Sequence, residues 1–260
     1  MKRRGGPGVL NALAWLGLAL LTASFLVLTL QPPRQIPRGA MQQRVREPFA
    51  VVVIDPGHGG ADSGAMAGNI LEKDLTLDIA HRLEQRLASE GVATVMTRVG
   101  DSYVALAERA ALANRANDAV FISIHVNDGS RALATGVETY FAAQQNTPAT
   151  RLASWLPFLQ KVSQQAPNVQ SQSLAGFIQQ ALVTQTHATN RGTKAEQFYV
   201  LANVRHPAVL VETGFLTNKD EADKLCDANY REQIAQAISS GVLKYREALR
   251  GQRAIEGGSE

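Results

Sequence analysis

The stretch VVVIDPGHGG at residues 51–60 decides the fold, because a continuous apolar run stops abruptly at polar and glycine residues. An unbroken apolar run such as 51–54 is typical of a strand buried on both faces of a sheet. The glycines after it let the backbone turn sharply and pass close to a neighbouring group. The stretch therefore predicts a central strand whose end carries His58 into a loop.

Strands and helices alternate along the rest of the sequence. Short apolar runs predict further strands, at residues 92–97, 120–124, 136–141, 198–201 and 208–211. Apolar residues at helical spacing predict helices, at residues 71–90, 106–117, 151–165, 174–187 and 229–249. This alternation indicates an α/β fold, a single domain with a twisted, mostly parallel or mixed sheet that is flanked by helices on both faces.

The N-terminus has the composition of a membrane-associated segment. Between the basic residues at positions 2–4 and Arg34 there is no charge, and residues 9–30 are almost wholly apolar. As a helix this run would span ~33 Å, about the hydrocarbon core of a bilayer. We favour an uncleaved anchor over a cleaved signal sequence. The chain is thus divided into an anchor or signal sequence at 1–30, a linker at 31–48, the folded domain at 49–250 and a disordered tail at 251–260.

The distribution of charge argues against a nucleic-acid partner. Residues 1–50 carry seven basic side chains and one acidic side chain, a net charge of +6. Because the whole chain has a formal charge of +3, residues 51–260 carry −3. A mildly acidic domain is a poor match for a phosphate backbone, so we expect no nucleic-acid binding.

Three side chains that are able to bind a metal stand at predicted element ends. His58 follows the first strand, His125 follows the strand at 120–124, and Glu72 lies in the first turn of the first helix. Neighbouring strands stand ~4.8 Å apart, so side chains from these positions can converge. Two imidazoles and a carboxylate form a catalytic zinc set with a fourth position open for water. Ordinary loop or core histidines remain the alternative at this point.

Glu212 ends the apolar run at 208–211. A carboxylate at the end of a buried strand is costly to desolvate unless it has a partner or a chemical role. It would either transfer a proton between a water and a leaving amine, or form a buried ion pair with an arginine such as Arg98 or Arg109. The residues alone leave both interpretations open.

Four stretches resemble one known family when they are taken together. They are IDPGHGGAD at 54–62, LEKD at 71–74, SIHVN at 123–127 and VLVETGFLTN at 209–218, and weaker matches lie at 97–98, 106–109, 136–139 and 190–192. With these stretches in this order, the chain resembles the N-acetylmuramoyl-L-alanine amidases of the zinc-dependent amidase type 3 family. The resemblance covers about residues 50–247.

The resemblance implies a reaction and a location. In the family, the residues at the positions of His58, Glu72 and His125 bind Zn2+, and the residue at the position of Glu212 is the catalytic acid and base. The expected activity is hydrolysis of the amide between N-acetylmuramic acid and L-alanine in peptidoglycan. The expected location is the cell envelope, on the periplasmic side of the inner membrane, anchored there or secreted if the N-terminus is cleaved.

Two other functions remain open on the sequence. One is a non-catalytic peptidoglycan-binding or scaffolding protein with a degenerate site. The other is a zinc carboxypeptidase or deacetylase that uses the same ligands.

The segment between Ala143 and Ser173 is longer than a simple connection requires. Some family members carry an autoinhibitory helix here, which blocks the zinc with an acidic side chain. This segment contains no Asp, Glu or His, so it has no carboxylate with which to block the metal. We expect residues 146–170 to cover substrate or to dock a protein regulator, with extra packing as the alternative.

Overall fold

A six-stranded sheet forms the centre of the fold. The structure is a computed structural model that describes Trp15 and residues 47–128, 133–145 and 168–257. The strands are β1 (Val51–Pro56), β2 (Met66–Ala67), β3 (Ile70–Leu71), β4 (Ala93–Met96), β5 (Ala119–Asn127), β6 (Val137–Phe141), β7 (Asn190–Ala195) and β8 (Ala208–Phe215). The order of strands in the central sheet is β4-β1-β5-β8-β6-β7. Strands β4, β1, β5 and β8 are parallel, whereas β6 is antiparallel to β8 and parallel to β7. The predicted mixed, mostly parallel sheet is confirmed.

Helices cover both faces of this sheet. The helices are α1 (Glu72–Ser89), α2 (Leu106–Ala113), α3 (Val169–Thr186), α4 (Tyr199–Asn203), α5 (Lys219–Cys226) and α6 (Ala228–Gly257). Val52 and Ile54 point into the larger core, with α1, α3 and α6, while Val53 points into a second core with α2 and α4. Successive residues of a strand face opposite sides, so the apolar run of β1 is continuous because both sides are covered.

Two neighbouring segments differ from the sequence prediction. Residues 198–201 were expected to form a strand, but most of them belong to helix α4, where Val200 and Leu201 are buried. Their aromatic and β-branched side chains are typical of a strand, and a helix of five residues is too short to show the helical spacing of apolar residues. Strand β7 was not predicted, because it lies at the edge of the sheet and its sequence has no alternation of apolar and polar residues.

The last helix is longer than the sequence predicts. Helix α6 continues to Gly257, so the expected disordered tail is helical over residues 251–257. Arg250 binds the carboxylate of Glu47 through Nη2 at 2.6 and 2.7 Å, and this contact ties the last turns of the helix to the start of the described domain. A contact across 203 residues is invisible to local sequence patterns.

Most segments outside the domain cannot be compared with their predictions. Three predictions fall wholly or mostly outside the described residues. They are the anchor or signal sequence at 1–30, of which only Trp15 is described, the linker at 31–48, of which only 47–48 are described, and the proposed docking segment at 146–170, of which 146–167, including the helix predicted at 151–165, are not described. Among the residues that are described, the structure contains no helix with both the length and the apolar character needed to cross a bilayer.

Two glycines of α6 test the packing of this helix against α3. A Cβ added at Gly241 would lie 2.6 Å from the Cα of Ile178, whereas a Cβ at Gly251 would have no neighbour within 4 Å. We expect Gly241→Ala to lower the free energy of unfolding by about 1–3 kcal/mol through overpacking. Gly251→Ala should leave it unchanged or raise it by up to about 1 kcal/mol, because alanine favours the helix. Urea unfolding followed by circular dichroism measures both, and equal stabilities would contradict the packing described.

Candidate functional site

The structure brings His58, Glu72 and His125 together at the carboxyl end of the sheet. His58 follows β1, Glu72 is the first residue of α1, and His125 lies near the end of β5. Glu72 Oε1 lies 3.2 Å from Nε2 of His58 and 2.9 Å from Nδ1 of His125. One possible ligand atom from each residue lies within 4.8 Å of the other two. The three side chains therefore form a group that is able to hold a metal ion.

The donor set and its surroundings fit such an ion. Nδ1 of His58 lies 2.9 Å from Oδ2 of Asp62, which orients the ring and leaves Nε2 facing the group. A carboxylate behind a histidine is the usual support of a metal ligand. His58, His125 and Glu212 also line a cavity of about 440 Å³, so the group is open to a substrate on one side.

Glu72 is held as a carboxylate. Burial by itself would raise the pKa of Glu72, but the hydrogen bonds from His125 and His58 outweigh it and keep the pKa well below the usual range. The hairpin β2–β3 also directs the N–H of Ala65 to Oε2 at 2.8 Å, and the N–H of Val126 donates to Oε1 at 3.0 Å. An ionised, fully hydrogen-bonded carboxylate is what a cation requires of its ligand.

Two glycines allow the chain to pass this close to the ligands. A Cβ at Gly57 would lie 2.5 Å from Cε1 of His125. A Cβ at Gly64 would lie 2.5 Å from Oε2 of Glu72 and 2.6 Å from Cδ2 of His58. Any side chain at either position would displace a ligand.

Arg98 fastens the loop after β1 to the start of α1. Its Nε donates to the carbonyl of Pro56 at 3.0 Å, and its Nη2 donates to the carbonyls of Gly57 and Lys73, both at 2.8 Å. Burial, followed by the nearby charge of Arg109, lowers the pKa of this guanidinium, which nevertheless remains the donor of these bonds. Arg98 therefore sets the distance between the segments that carry His58 and Glu72.

Arg109 of α2 holds the same loop from the other side of the sheet. Its Nη1 binds Oδ1 of Asp55 at 2.7 Å and the carbonyl of Pro56 at 2.6 Å, and its Nη2 binds the carbonyl of His58 at 2.7 Å. His58 has a φ of +60°, an unusual conformation for a residue with a side chain. The arginine fork stabilises this conformation and so aims the imidazole.

Glu212 does not form the buried ion pair with an arginine that the sequence left open. Arg109 pairs instead with Asp55, and Arg98 binds backbone carbonyls. Glu212 is the register partner of His125 on the adjacent strand, and it lines the cavity. Its Oε2 is shielded from solvent and has no hydrogen-bond partner in the described part of the chain.

The environment of Glu212 favours its protonated form. Burial, and then the negative charges of Glu72 and Glu138, raise the pKa of this carboxyl well above its usual value. Two carboxylates in one site thus have opposite tendencies, since the pKa of Glu72 is lowered. Such a separation of pKa values is common where one group binds a cation and the other transfers a proton.

Comparison with known proteins assigns the chain to a family. Residues 52–244 match the sequence model of N-acetylmuramoyl-L-alanine amidase. The chain belongs to this amidase family. The N-acetylmuramoyl-L-alanine amidase LytC of Bacillus subtilis is 37% identical over 194 residues, which are 75% of this chain and 35% of LytC. This amidase therefore spans about a third of the length of LytC.

Solved structures show the same fold. The N-acetylmuramoyl-L-alanine amidase of Clostridium difficile 630 is 34% identical, with a TM-score of 0.64, over 76% of this chain and 97% of that one. The CwlD amidase of Clostridioides difficile, solved in complex with the GerS lipoprotein, is 27% identical. Its TM-score is 0.65, over 77% of this amidase and 100% of CwlD. The match extends over nearly the whole length of both solved amidases.

The sequence predicted that His58, Glu72 and His125 converge, which the structure shows, but it did not predict the residues that hold them in place. Asp62, Arg98, Arg109 and Glu138 lie within the resembling stretches, yet no role was assigned to them beyond the discarded ion pair. Their contacts join residues that are 2 to 56 positions apart in the chain. The contact of Asp62 with His58 is local, whereas the long-range contacts depend on which strands and helices become neighbours in the fold.

Arg109→Lys tests the hold on the ligand loop. Lysine keeps the charge but cannot make the four bonds of the fork, so buried acceptors lose their donors. We expect the free energy of unfolding to fall by about 2–3 kcal/mol. Metal affinity should fall about 10- to 100-fold, as for other groups that orient a ligand.

Denaturant unfolding and competition with a chromophoric chelator measure these two effects. Arg115→Lys, on an exposed side chain just beyond α2, is the matched control and should change neither quantity. An Arg109→Lys protein with wild-type metal affinity would show that Arg109 does not position His58.

Glu212→Gln tests the raised pKa in the metal-free protein. Folding raises the pKa of this carboxyl, so the folded protein binds the proton more tightly than the unfolded chain does. The free energy of unfolding therefore falls as the pH rises above the pKa of the unfolded chain. Glutamine does not ionise, so the variant should gain stability relative to the wild type as the pH rises above the usual pKa range of a glutamate. Urea unfolding with a chelator present measures this gain, and a stability difference that is independent of pH would contradict the raised pKa.

Proposed function

We propose that this protein is a zinc-dependent N-acetylmuramoyl-L-alanine amidase that hydrolyses the amide between N-acetylmuramic acid and L-alanine in peptidoglycan. One observation carries the proposal: His58, Glu72 and His125 converge beside the unpartnered carboxyl of Glu212 in a chain of the amidase family. Membership of the family supports the bond that is cleaved, and the donor set supports the metal.

His58, Glu72 and His125 are the residues that would hold zinc. Two imidazole nitrogens and one carboxylate oxygen match the three-ligand catalytic zinc set. When bound, zinc acts as a Lewis acid, which lowers the pKa of water and stabilises negative charge that develops on the amide carbonyl oxygen. Glu72 contributes one negative charge, and the contact of His58 with Asp62 keeps Nε2 of the ring directed at the group.

Glu212 moves the protons of the reaction. Its position on β8, beside His125, puts its carboxyl at the edge of the cavity in which the amide would lie. As carboxylate it accepts the proton of the attacking water, and as carboxylic acid it returns that proton to the departing nitrogen of L-alanine. A raised pKa favours the second of these transfers, because the acid form persists nearer to neutral pH.

Part of the cavity wall is made of apolar and aromatic side chains. Tyr103, Leu106, Phe198 and Tyr199 line the cavity and are exposed side chains. Exposed apolar groups around a polar centre are typical of a ligand-binding cleft. We infer that they contact the substrate next to the cleaved bond.

The place of action follows from the substrate. The relatives named above are amidases, so the chain acts at the cell envelope. We further propose that residues 1–30 attach the protein to the inner membrane, or direct its secretion, so that domain 49–250 acts on the periplasmic side. The apolar run at 9–30 supports this.

The CwlD amidase was solved in complex with the GerS lipoprotein, which supports a protein partner for an amidase of this fold. We propose that a protein regulator docks on residues 146–170 of this chain.

A peptidoglycan digest tests the reaction. Purified peptidoglycan is treated with the zinc-loaded protein, with the chelated protein and with zinc-loaded Glu212→Gln, and the products are identified by mass spectrometry. We expect the wild type to release intact stem peptides, the chelated protein to release none, and zinc to restore release. Glu212→Gln should keep the fold and the zinc but lose activity about 10²- to 10⁴-fold, the contribution of general acid–base catalysis.

Glu196→Gln, which changes an exposed carboxylate of the same sheet region, is the control and should digest like the wild type. Shortened stems in place of free stems would make the protein a carboxypeptidase. An unchanged digest, with zinc bound, would leave a binding or scaffolding role.

A further inference from the structure

A second buried carboxylate, Glu138, lies next to Glu212 in the sheet. Glu212 is the register partner of His125 on β5 and of Glu138 on β6. Register partners on adjacent strands point to the same face and stand ~4.8 Å apart. One row across three strands therefore contains His125, a proposed metal ligand, Glu212, the proposed proton carrier, and Glu138. Strand β7 follows β6 in the sheet.

Glu138 accepts hydrogen bonds from four side chains. Its side chain is 2% exposed. Its Oε1 accepts from Asn127 Nδ2 at 2.8 Å and from the hydroxyl of Tyr140 at 2.6 Å. Its Oε2 accepts from Arg191 Nε at 2.8 Å and from Lys194 Nζ at 2.5 Å. Burial would raise the pKa of Glu138, but the bonds from Lys194, Tyr140 and Arg191 lower it, so Glu138 is an anion.

The two cations on Glu138 leave a surplus positive charge. One carboxylate neutralises one cation, so the cluster of Glu138, Arg191 and Lys194 carries a net charge of +1. The side chains of Arg191 and Lys194 are 34% and 40% exposed, so the surplus charge faces solvent. If the pair served only to neutralise Glu138, one buried cation would be sufficient.

Both cations lie against aromatic rings, and hydrogen-bond donors remain that Glu138 does not use. The Arg191 guanidinium lies 4.8 Å from the ring centroid of Phe215, and the Lys194 ammonium lies 5.6 Å from that of Tyr140. Arg191 uses Nε for Glu138, and no described residue accepts a hydrogen bond from its two terminal nitrogens. A guanidinium with a free fork and a fixed position is well suited to bind a carboxylate.

We propose that Arg191 and Lys194 bind a carboxylate of the stem peptide, on the residue that follows L-alanine, and make the enzyme selective for acidic stems. This inference rests on the proposed function. Glu212 protonates the alanine nitrogen, so the peptide starts beside β8. An extended residue spans ~3.4 Å, so the backbone carboxylate of the next residue lies roughly 5–7 Å further on, about one strand spacing. Glu138, which binds both cations, lies one strand spacing from Glu212 across the sheet.

Two synthetic substrates that differ by one charge test the inference. Both are N-acetylmuramoyl-L-alanyl-D-glutamate γ-methylamide; one has a free α-carboxylate and the other has a primary α-amide. The full-length zinc-loaded protein should cleave the carboxylate with a kcat/KM about tenfold higher or more, the range of one charge-assisted hydrogen bond. Added salt should reduce this ratio, because the cations are partly exposed.

Variants of the pair should remove the preference. Lys194→Met should reduce the ratio severalfold, and Lys194→Met combined with Arg191→Gln should bring it to about one. Lys194→Arg should restore most of the ratio, because the charge returns. Lys244→Met, on an exposed position of α6, should leave the ratio unchanged. Thermal unfolding of each variant shows that the fold is retained.

A binding measurement separates this inference from the reaction itself. Calorimetry with zinc-loaded Glu212→Gln measures the affinity for both compounds without turnover. Tighter binding of the carboxylate, lost in Lys194→Met, supports the cation pair even if the wild type cleaves neither compound, in which case the proposed reaction fails alone. Equal cleavage and equal binding of the two compounds would overturn the role of Arg191 and Lys194 and leave the amidase reaction standing.

Discussion

The buried ion pair between Asp55 and Arg109 is the interaction on which the site depends. The two side chains are 1% and 4% exposed and meet at 2.7 Å. Asp55 also accepts from the hydroxyls of Thr97, directly after β4, and Ser123 of β5, so the pair joins α2 to three neighbouring strands. A buried ion pair is a net benefit only when every remaining donor and acceptor is satisfied. The other bonds of Arg109 go to the carbonyl of Val104 and to those of Pro56 and His58, so the same side chain stabilises the domain and orients the imidazole of His58.

Strand register then arranges the chemistry. His125, Glu212 and Glu138 are neighbours across β5, β8 and β6, although they are far apart in the chain. Each carboxylate has its own environment: Glu72 receives donors and is ionised, Glu212 lacks them and tends to be protonated, and Glu138 is bound by two cations. The sheet thus places side by side the residues proposed here for cation binding, for proton transfer and for anion binding.

Local pattern was a good guide wherever burial on a face controls the side-chain period. The doubly buried run of β1 and the amphipathic stripe of α1 were predicted within a residue or two of their bounds. Prediction failed where the local pattern of apolar residues does not reflect which side chains are buried. Helix α4 is too short to show a helical period, β7 is an exposed edge strand, and the end of α6 is held by Glu47 from the other end of the domain.

The sequence by itself determined that His58, His125 and Glu212 follow buried apolar runs and that Glu72 starts the first helix. It did so because burial and helical spacing are visible in the local pattern of apolar residues, although β8 continues past Glu212 to Phe215. Only the tertiary structure decided their partners. Arg109 binds Asp55 and the loop that carries His58 rather than Glu212, and Glu138 lies beside Glu212. Both follow from the order of strands in the sheet, which is set by packing between distant segments. A linear sequence carries no direct record of which strands become neighbours.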